Sequence, residues 1–269
     1  MNLAAIKVVV KVGIGLKSVT IGTVPLTVGM PKIGVVLRGT ERSTLIGQAA
    51  QVLSSAAQIV EWDLTGADGL ENRAELINTA TQLRQVLGTI PLIATLQSPS
   101  QSATIDEQTY YETSVTLVNN RLVDALEIDM SMVTKARFMA LTKQMRVQKI
   151  KLILSQTYVE ATPTAAQIVI AYQTMAAAGA DIARIRMQPQ TATALLTLMA
   201  ATATAGTELS LPLVVTATGS LGRYAAASGQ LFGSTLVFGR VGRVGGSGQL
   251  PVSQLKQTLQ TLATVEGGS

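Results

Sequence analysis

The chain has 269 residues, 47% hydrophobic and only 14% charged; that is long enough for one large core, close to the size at which an α/β barrel closes, and leaves a surface of mostly neutral polar residues against a usual charged share of roughly 25%. A net charge of +5 does not point to nucleic acid, because Lys and Arg are scattered and aromatic residues are 3% of the chain, leaving neither a basic face nor stacking platforms for bases. Cysteine and histidine are both absent, which excludes disulfides, thiolate nucleophiles and Cys-ligated zinc, and removes the commonest general base together with the commonest metal ligand.

The N-terminal stretch is apolar but is interrupted by Lys7, Lys11, Lys17 and Lys32. No run approaches 18 apolar residues, and the same lysines spoil a signal-peptide core, so neither a membrane span nor a secretory leader is expected. Residues 1–27 are read as an N-terminal extension, residues 28–269 as one domain, and the protein as cytoplasmic. From Lys32 onward, short β-branched runs alternate with longer amphipathic segments. That order yields parallel strands joined by helices. The predicted strands are Ile33–Leu37, Ile59–Leu64, Pro91–Leu96, Ala125–Met130, Lys149–Leu154, Asp181–Met187, Leu213–Thr218 and Thr235–Gly239. Helical stretches between them include Glu71–Leu87, Asp106–Asn119, Ala165–Ala178 and Pro251–Thr264, each with apolar residues three or four apart. Thr162 and Pro163 read as the N-cap and first residue of the third of these, since proline loses no helical hydrogen bond there. Eight such units predict a closed (β/α)8 barrel over an open sheet.

Several phrases carry a more specific signal. In chain order they are Gly29-Met30-Pro31-Lys32-Ile33, Val60-Glu61-Trp62, Pro91-Leu92-Ile93-Ala94-Thr95, Thr162-Pro163, Ala178-Gly179-Ala180-Asp181-Ile182 with Pro189-Gln190, Thr218-Gly219-Ser220-Leu221-Gly222-Arg223, Gly229-Gln230-Leu231-Phe232-Gly233-Ser234, and Gly248-Gln249. Together they resemble the type I 3-dehydroquinate dehydratases of the shikimate pathway, in that family's own order, over about residues 28–264. The resemblance implies a TIM barrel and a hydro-lyase that dehydrates 3-dehydroquinate through a lysine Schiff base. It further implies no cofactor, no metal, a small anionic cyclic acid as ligand, and a homodimer.

Carried over residue by residue, the resemblance keeps Glu61 and Gln249 and replaces the rest. The Schiff-base lysine falls at Arg184 and the general acid/base histidine at Thr157. The family's arginine beside Glu61 is Asp63, the one ending the third strand is Gln97, and the carboxylate-binding one after the seventh strand is Ala226. An imine needs a neutral primary amine, whereas arginine stays protonated and has no free lone pair. A threonine hydroxyl cannot shuttle protons near neutral pH, and alanine offers a carboxylate no guanidinium. Catalysis is therefore expected to be impaired.

Strand alternation puts Glu61 with Asp63, Glu127 with Asp129, and Arg184 with Arg186 on common faces. If these face inward, the C-terminal mouth holds four carboxylates and two guanidinium groups that must be paired or hydrated. Three uses are open: an ion-pair network filling the emptied pocket, a Mg2+ or Mn2+ site on the carboxylates, or phosphate binding at the glycine-rich loops 219–223 and 239–249 with Arg223, Arg240 and Arg243. The corresponding function classes are an impaired or diverged lyase, a non-catalytic binder of a small anionic or phosphorylated ligand, and a structural or partner subunit.

Overall fold

The computed structural model describes residues 18–67, 69–159, 162–246 and 248–263. Its first elements are two short strands, β1 (Val19–Ile21) and β2 (Val24–Leu26), paired antiparallel with Val19 opposite Leu26. The two-residue turn between them is made possible by Gly22 at φ 54, since such turns need a left-handed residue at their centre. Then follow β3 (Lys32–Arg38), α1 (Arg42–Leu53), β4 (Ile59–Asp63), α2 (Arg73–Leu87), β5 (Leu92–Thr95), α3 (Glu107–Asn119), β6 (Ala125–Asp129), α4 (Met130–Val133), α5 (Ala136–Gln148) and β7 (Lys151–Tyr158). The chain ends with α6 (Ala165–Ala177), β8 (Ile182–Met187), α7 (Ala192–Glu208), β9 (Leu213–Ala217), α8 (Gly222–Ala227), α9 (Gly229–Phe232), β10 (Leu236–Gly239) and α10 (Val252–Ala263).

Strands β3 to β10 form one parallel sheet in the order β10-β3-β4-β5-β6-β7-β8-β9. The last gap, between β9 and β10, is joined by a bridge from Leu213 to Ser234 and by Thr235 N–H donating to the Leu213 carbonyl at 2.9 Å. The sheet thus comes round on itself as the expected (β/α)8 barrel. All eight predicted strands are present.

Two local expectations are corrected. The fifth strand of the barrel starts at Lys151 and runs to Tyr158, because its register with β8 continues to the Tyr158–Met187 pair. Lys149 belongs instead to the end of α5, where it takes the left-handed conformation with φ 63. The helix after it is capped by Thr164, not Thr162: Thr164 Oγ1 accepts from the Gln167 N–H at 3.3 Å while Gln167 Oε1 accepts from the Thr164 N–H at 2.8 Å. This reciprocal pair satisfies two donors at once, which a Thr162–Pro163 start could not do.

Side-chain alternation divides the core in two. Outward-facing residues such as Val35, Leu37, Val60, Trp62, Leu152, Leu154, Ala183 and Ile185 are buried under the helices. Inward-facing residues at the lower end, among them Val36, Ile59, Ile93, Ile153, Ile182 and Val214, form a second cluster with Val19, Ile21 and Leu26 of the hairpin. Residues 18–26 of the expected extension are therefore a floor plugging the barrel. Residues 1–17 lie outside the described residues. No helix among the described residues is long and apolar enough to cross a membrane.

Candidate active site at the barrel mouth

Two residues up from the apolar layer, strands β4 to β9 change chemistry. Ile59 gives way to Glu61, Ile93 to Thr95, Ala125 to Glu127, Ile153 to Ser155, Ile182 to Arg184 and Val214 to Thr216. All six upper residues except Thr216 are buried, with Glu61 and Arg184 at 0% and 1% exposure. Charges so enclosed are tolerated only when paired and hydrogen-bonded. The pairing is complete for the carboxylates. Arg184 Nη1 donates to Glu61 Oε2 at 2.5 Å and to Glu127 Oε2 at 2.8 Å, and its Nε donates to Thr216 Oγ1 at 2.9 Å. One step higher, Arg186 Nε donates to Glu127 Oε1 at 2.8 Å, and its Nη2 donates to Glu127 Oε2, Glu61 Oε1 and Thr95 Oγ1 at 2.9, 3.0 and 3.2 Å. Each carboxylate thus bridges both guanidinium groups, and two positive charges meet two negative ones.

The guanidinium of Arg184 also lies 4.7 Å from the centre of the Phe238 ring, a favourable cation–π placement. Gly34 makes room for that ring: it pairs with Phe238 across β3 and β10, and a Cβ at residue 34 would come within 2.8 Å of the ring edge. Glycine is thereby tied to the position of the buried arginine.

Electrostatics follow from this geometry. Burial alone would raise the Glu127 carboxyl, but the adjacent Arg186 and Arg184 charges outweigh it and hold the group down at about 2. Burial alone would likewise lower Arg186, yet Glu127 and Glu61 hold its protonated form more firmly still. Asp63 shows the same competition, with burial opposed and outweighed by hydrogen bonds from Thr65 and Arg38, and its carboxyl is lowered.

The remaining predicted positions are distributed around this lattice. Asp63 accepts from Arg38 Nε at 2.8 Å and from the Thr65 N–H at 3.1 Å. Gln97 Nε2 donates to the Gln101 carbonyl at 2.7 Å. Asp129 accepts from Ser131 and from Gln101. Thr157, on β7, lines a cavity of about 260 Å3 together with Asp63, Gln97, Gln101, Asp129 and Arg186. Ala226 and Gln249 line a second cavity of about 390 Å3 with Arg38, Arg184, Arg186 and Arg223. Arg186 borders both. Of the three loop arginines, Arg223 alone reaches this cavity; Arg240 instead donates to the carbonyls of Gln249 and Gly242, tying down its own loop.

The ion-pair reading of the mouth is therefore the one the geometry realises. A cation reading has no support among the described residues, where no three acidic side chains gather as a metal-binding group. No lysine among the described residues lines either cavity. Arg38 was not singled out from sequence, though its parity with the inward-facing Val36 was available as a signal. Thr216 and Phe238 were likewise missed; Thr216 reaches Arg184 from the adjacent strand β9, and only the barrel's closure brings Phe238 there.

Fold and site together define a (β/α)8 barrel with its polar centre at the C-terminal ends of the strands, the end at which barrels of this class place their chemistry. The model of the type I 3-dehydroquinase family matches residues 33–266, and the chain belongs to that family. It is 29% identical to the 3-dehydroquinate dehydratase of Enterococcus faecalis over 91% of this chain and 98% of that one. It is 27% identical to that of Lactiplantibacillus plantarum over 86% and 92%. Among solved structures, the Enterococcus faecalis enzyme superposes with a TM-score of 0.82 at 27% identity, covering 91% of this chain and 99% of that one. The type I enzyme from Clostridium difficile superposes at 0.86 with 24% identity, covering 93% and 99%, a likeness of fold.

Proposed function

We propose that this chain is a member of the family that no longer dehydrates 3-dehydroquinate through an imine and instead holds a small anionic acid at the barrel mouth. The observation that carries this reading is Arg184. By the sequence resemblance it falls where the family has its Schiff-base lysine, and its Nε and Nη1 are committed to Thr216, Glu61 and Glu127. Imine formation requires a nucleophilic nitrogen lone pair, and a guanidinium delocalises its own and remains protonated. Thr157 supplies no proton relay in place of the imidazole.

Substrate anchoring is altered in parallel. By the same resemblance Asp63, Gln97 and Ala226 fall at the family's arginine positions, and the first two are engaged with Arg38 and Gln101. The reading carries with it a homodimer, by analogy with the family, which sedimentation at micromolar concentration checks. Its direct test is borohydride reduction in the presence of 3-dehydroquinate followed by intact-mass measurement, alongside an ultraviolet assay for the conjugated enone product. No adduct and no enone are expected. An adduct mapping to a lysine of the barrel would overturn the reading.

A further inference from the structure

The cations of the mouth have been moved rather than lost. None of the three positions at which the family resemblance expects an arginine carries one, yet four guanidinium groups, from Arg38, Arg184, Arg186 and Arg223, line the larger cavity. No carboxylate side chain among the described residues lines it. The smaller cavity beside it is the reverse, with Asp63, Glu127 and Asp129 in its wall.

We propose that the larger cavity binds a small ligand through a doubly charged oxyanion, either a phosphate or a pair of carboxylates, gripped by Arg223, Arg38 and Arg186. This deepens the anion-holding reading above and rests on it. Arg184 is the floor of the site, not a ligand: its Nε and Nη1 are bonded and its Nη2 is enclosed. The three others have donors to spare. Arg186 uses Nε and Nη2 on the two carboxylates and Thr95, and its Nη1 has no bond to a described residue, on a side chain one-fifth exposed. Arg38 is half exposed and engages Asp63 through Nε alone, which leaves both of its terminal nitrogens.

Arg223 makes no ion pair with any described residue and stands on α8 one turn ahead of Ala226. A guanidinium shifted by one helical turn on the same face can serve the same space. Gln249 adds a neutral donor: its Oε1 accepts from the Gly246 N–H at 2.7 Å, and its Nε2 has no hydrogen-bond partner among the described residues. Glu61 and Glu127 neutralise Arg184 and Arg186, and Asp63 neutralises Arg38, so Arg223 brings the uncompensated charge. Forked donors around a concave, partly enclosed space favour a polydentate oxyanion over a single carboxylate.

The test is calorimetric titration of the whole chain with inorganic phosphate, with cyclohexane-1,2-dicarboxylate, and with benzoate as the singly charged control. Phosphate or the dicarboxylate is expected to bind at least about tenfold more tightly than benzoate, and more weakly as salt is raised. Preference for one of the two identifies the source of the charge, and either supports the proposal. Arg223→Gln, at an exposed and unpaired position, is expected to weaken that binding by roughly tenfold, and Arg243→Gln, outside the cavity, to leave it unchanged. Absence of binding by both dianions at about 5 mM, where even weak sites of millimolar Kd fill, would overturn the proposal, as would unaltered affinity in Arg223→Gln. Failure here leaves the imine test above untouched, since that test reads a covalent adduct and this one reads reversible anion binding.

Discussion

The lower and upper halves of the barrel interior are built by the same strands with the same alternation, yet they solve opposite problems. Below, Ile59, Ile93, Ile153, Ile182 and Val214 pack against the hairpin residues Val19, Ile21 and Leu26. Two residues higher, Glu61, Glu127 and Arg184 take the same inward direction, and they bind one another and Arg186 one step above. The lower layer gains from leaving water and needs no particular partner. The upper layer is costly to bury and stands only because every charge meets its complement. The response to a lost side chain, and its dependence on salt and pH, should therefore differ in kind between two layers separated by one strand repeat.

The largest effect is expected where one charge is removed from the upper layer. Glu61→Ala leaves Arg184 and Arg186 short of a counter-charge in an enclosed space, and should lower the unfolding free energy by about 3–5 kcal/mol. Urea denaturation measures this. A loss below about 1 kcal/mol, the range of exposed pairs, would mean that the layer is hydrated and the contrast false. Ile182→Ala, in the lower layer, should cost about 2–4 kcal/mol by cavity formation, and that cost should not depend on salt.

Acid separates the layers further. Glu127 is held at about 2 when folded, against an ordinary value of 4.5. The stability it contributes is present above 4.5 and is lost as pH falls through about 2. Unfolding free energy should decline across that window in the parent chain, and Glu127→Gln should flatten the decline, while Ile182→Ala should follow the parent slope. A parallel slope in Glu127→Gln would show that other carboxylates dominate acid unfolding.

A smaller effect is expected at the rim. Arg38 and Asp63 form a pair with the arginine half exposed, and Arg38→Ala should cost no more than about 1 kcal/mol, diminishing with salt. Smallest of all is the expected gain in activity from Arg184→Lys combined with Thr157→His. The lysine needs desolvation, the histidine needs orientation, and the substrate needs anchoring at Asp63, Gln97 and Ala226, so enone formation should remain near background. Only with Asp63→Arg, Gln97→Arg and Ala226→Arg added should turnover rise, and then by far more than the separate changes combined. Strong turnover in the double variant would show that other residues anchor the substrate.

Much of the barrel was legible because its signal is periodic and local. Ile33–Leu37, Ile59–Leu64 and Asp181–Met187 are β-branched runs flanked by helical stretches, and each became a strand within a residue or two of its expected ends. The end of β7 was not legible, since Ser155, Gln156 and Thr157 look like loop residues. They are strand because Arg184, Ile185 and Arg186 of β8 pair with them. Thr164 lost the capping assignment to Thr162 for a related reason: proline advertised a helix start, while the Gln167 side chain that decides it lies three residues ahead.

At the site, residue identity alone settled what chemistry is missing. A chain without histidine has no imidazole to place, and Arg184 cannot act as an amine wherever the fold puts it. Parity also put Glu61 with Asp63, Glu127 with Asp129, and Arg184 with Arg186 on common faces, whose inward direction depended on the barrel. What only the tertiary structure decided is who meets whom. Glu61 and Arg184 are 123 residues apart and bond because β4 and β8 face each other across a closed barrel. Arg240 turned to its own loop while Arg223 reached the cavity, although both stand among glycines in the sequence. Alternation dictates direction along one strand, but partners across a barrel depend on curvature, stagger and closure, which are properties of all eight strands together.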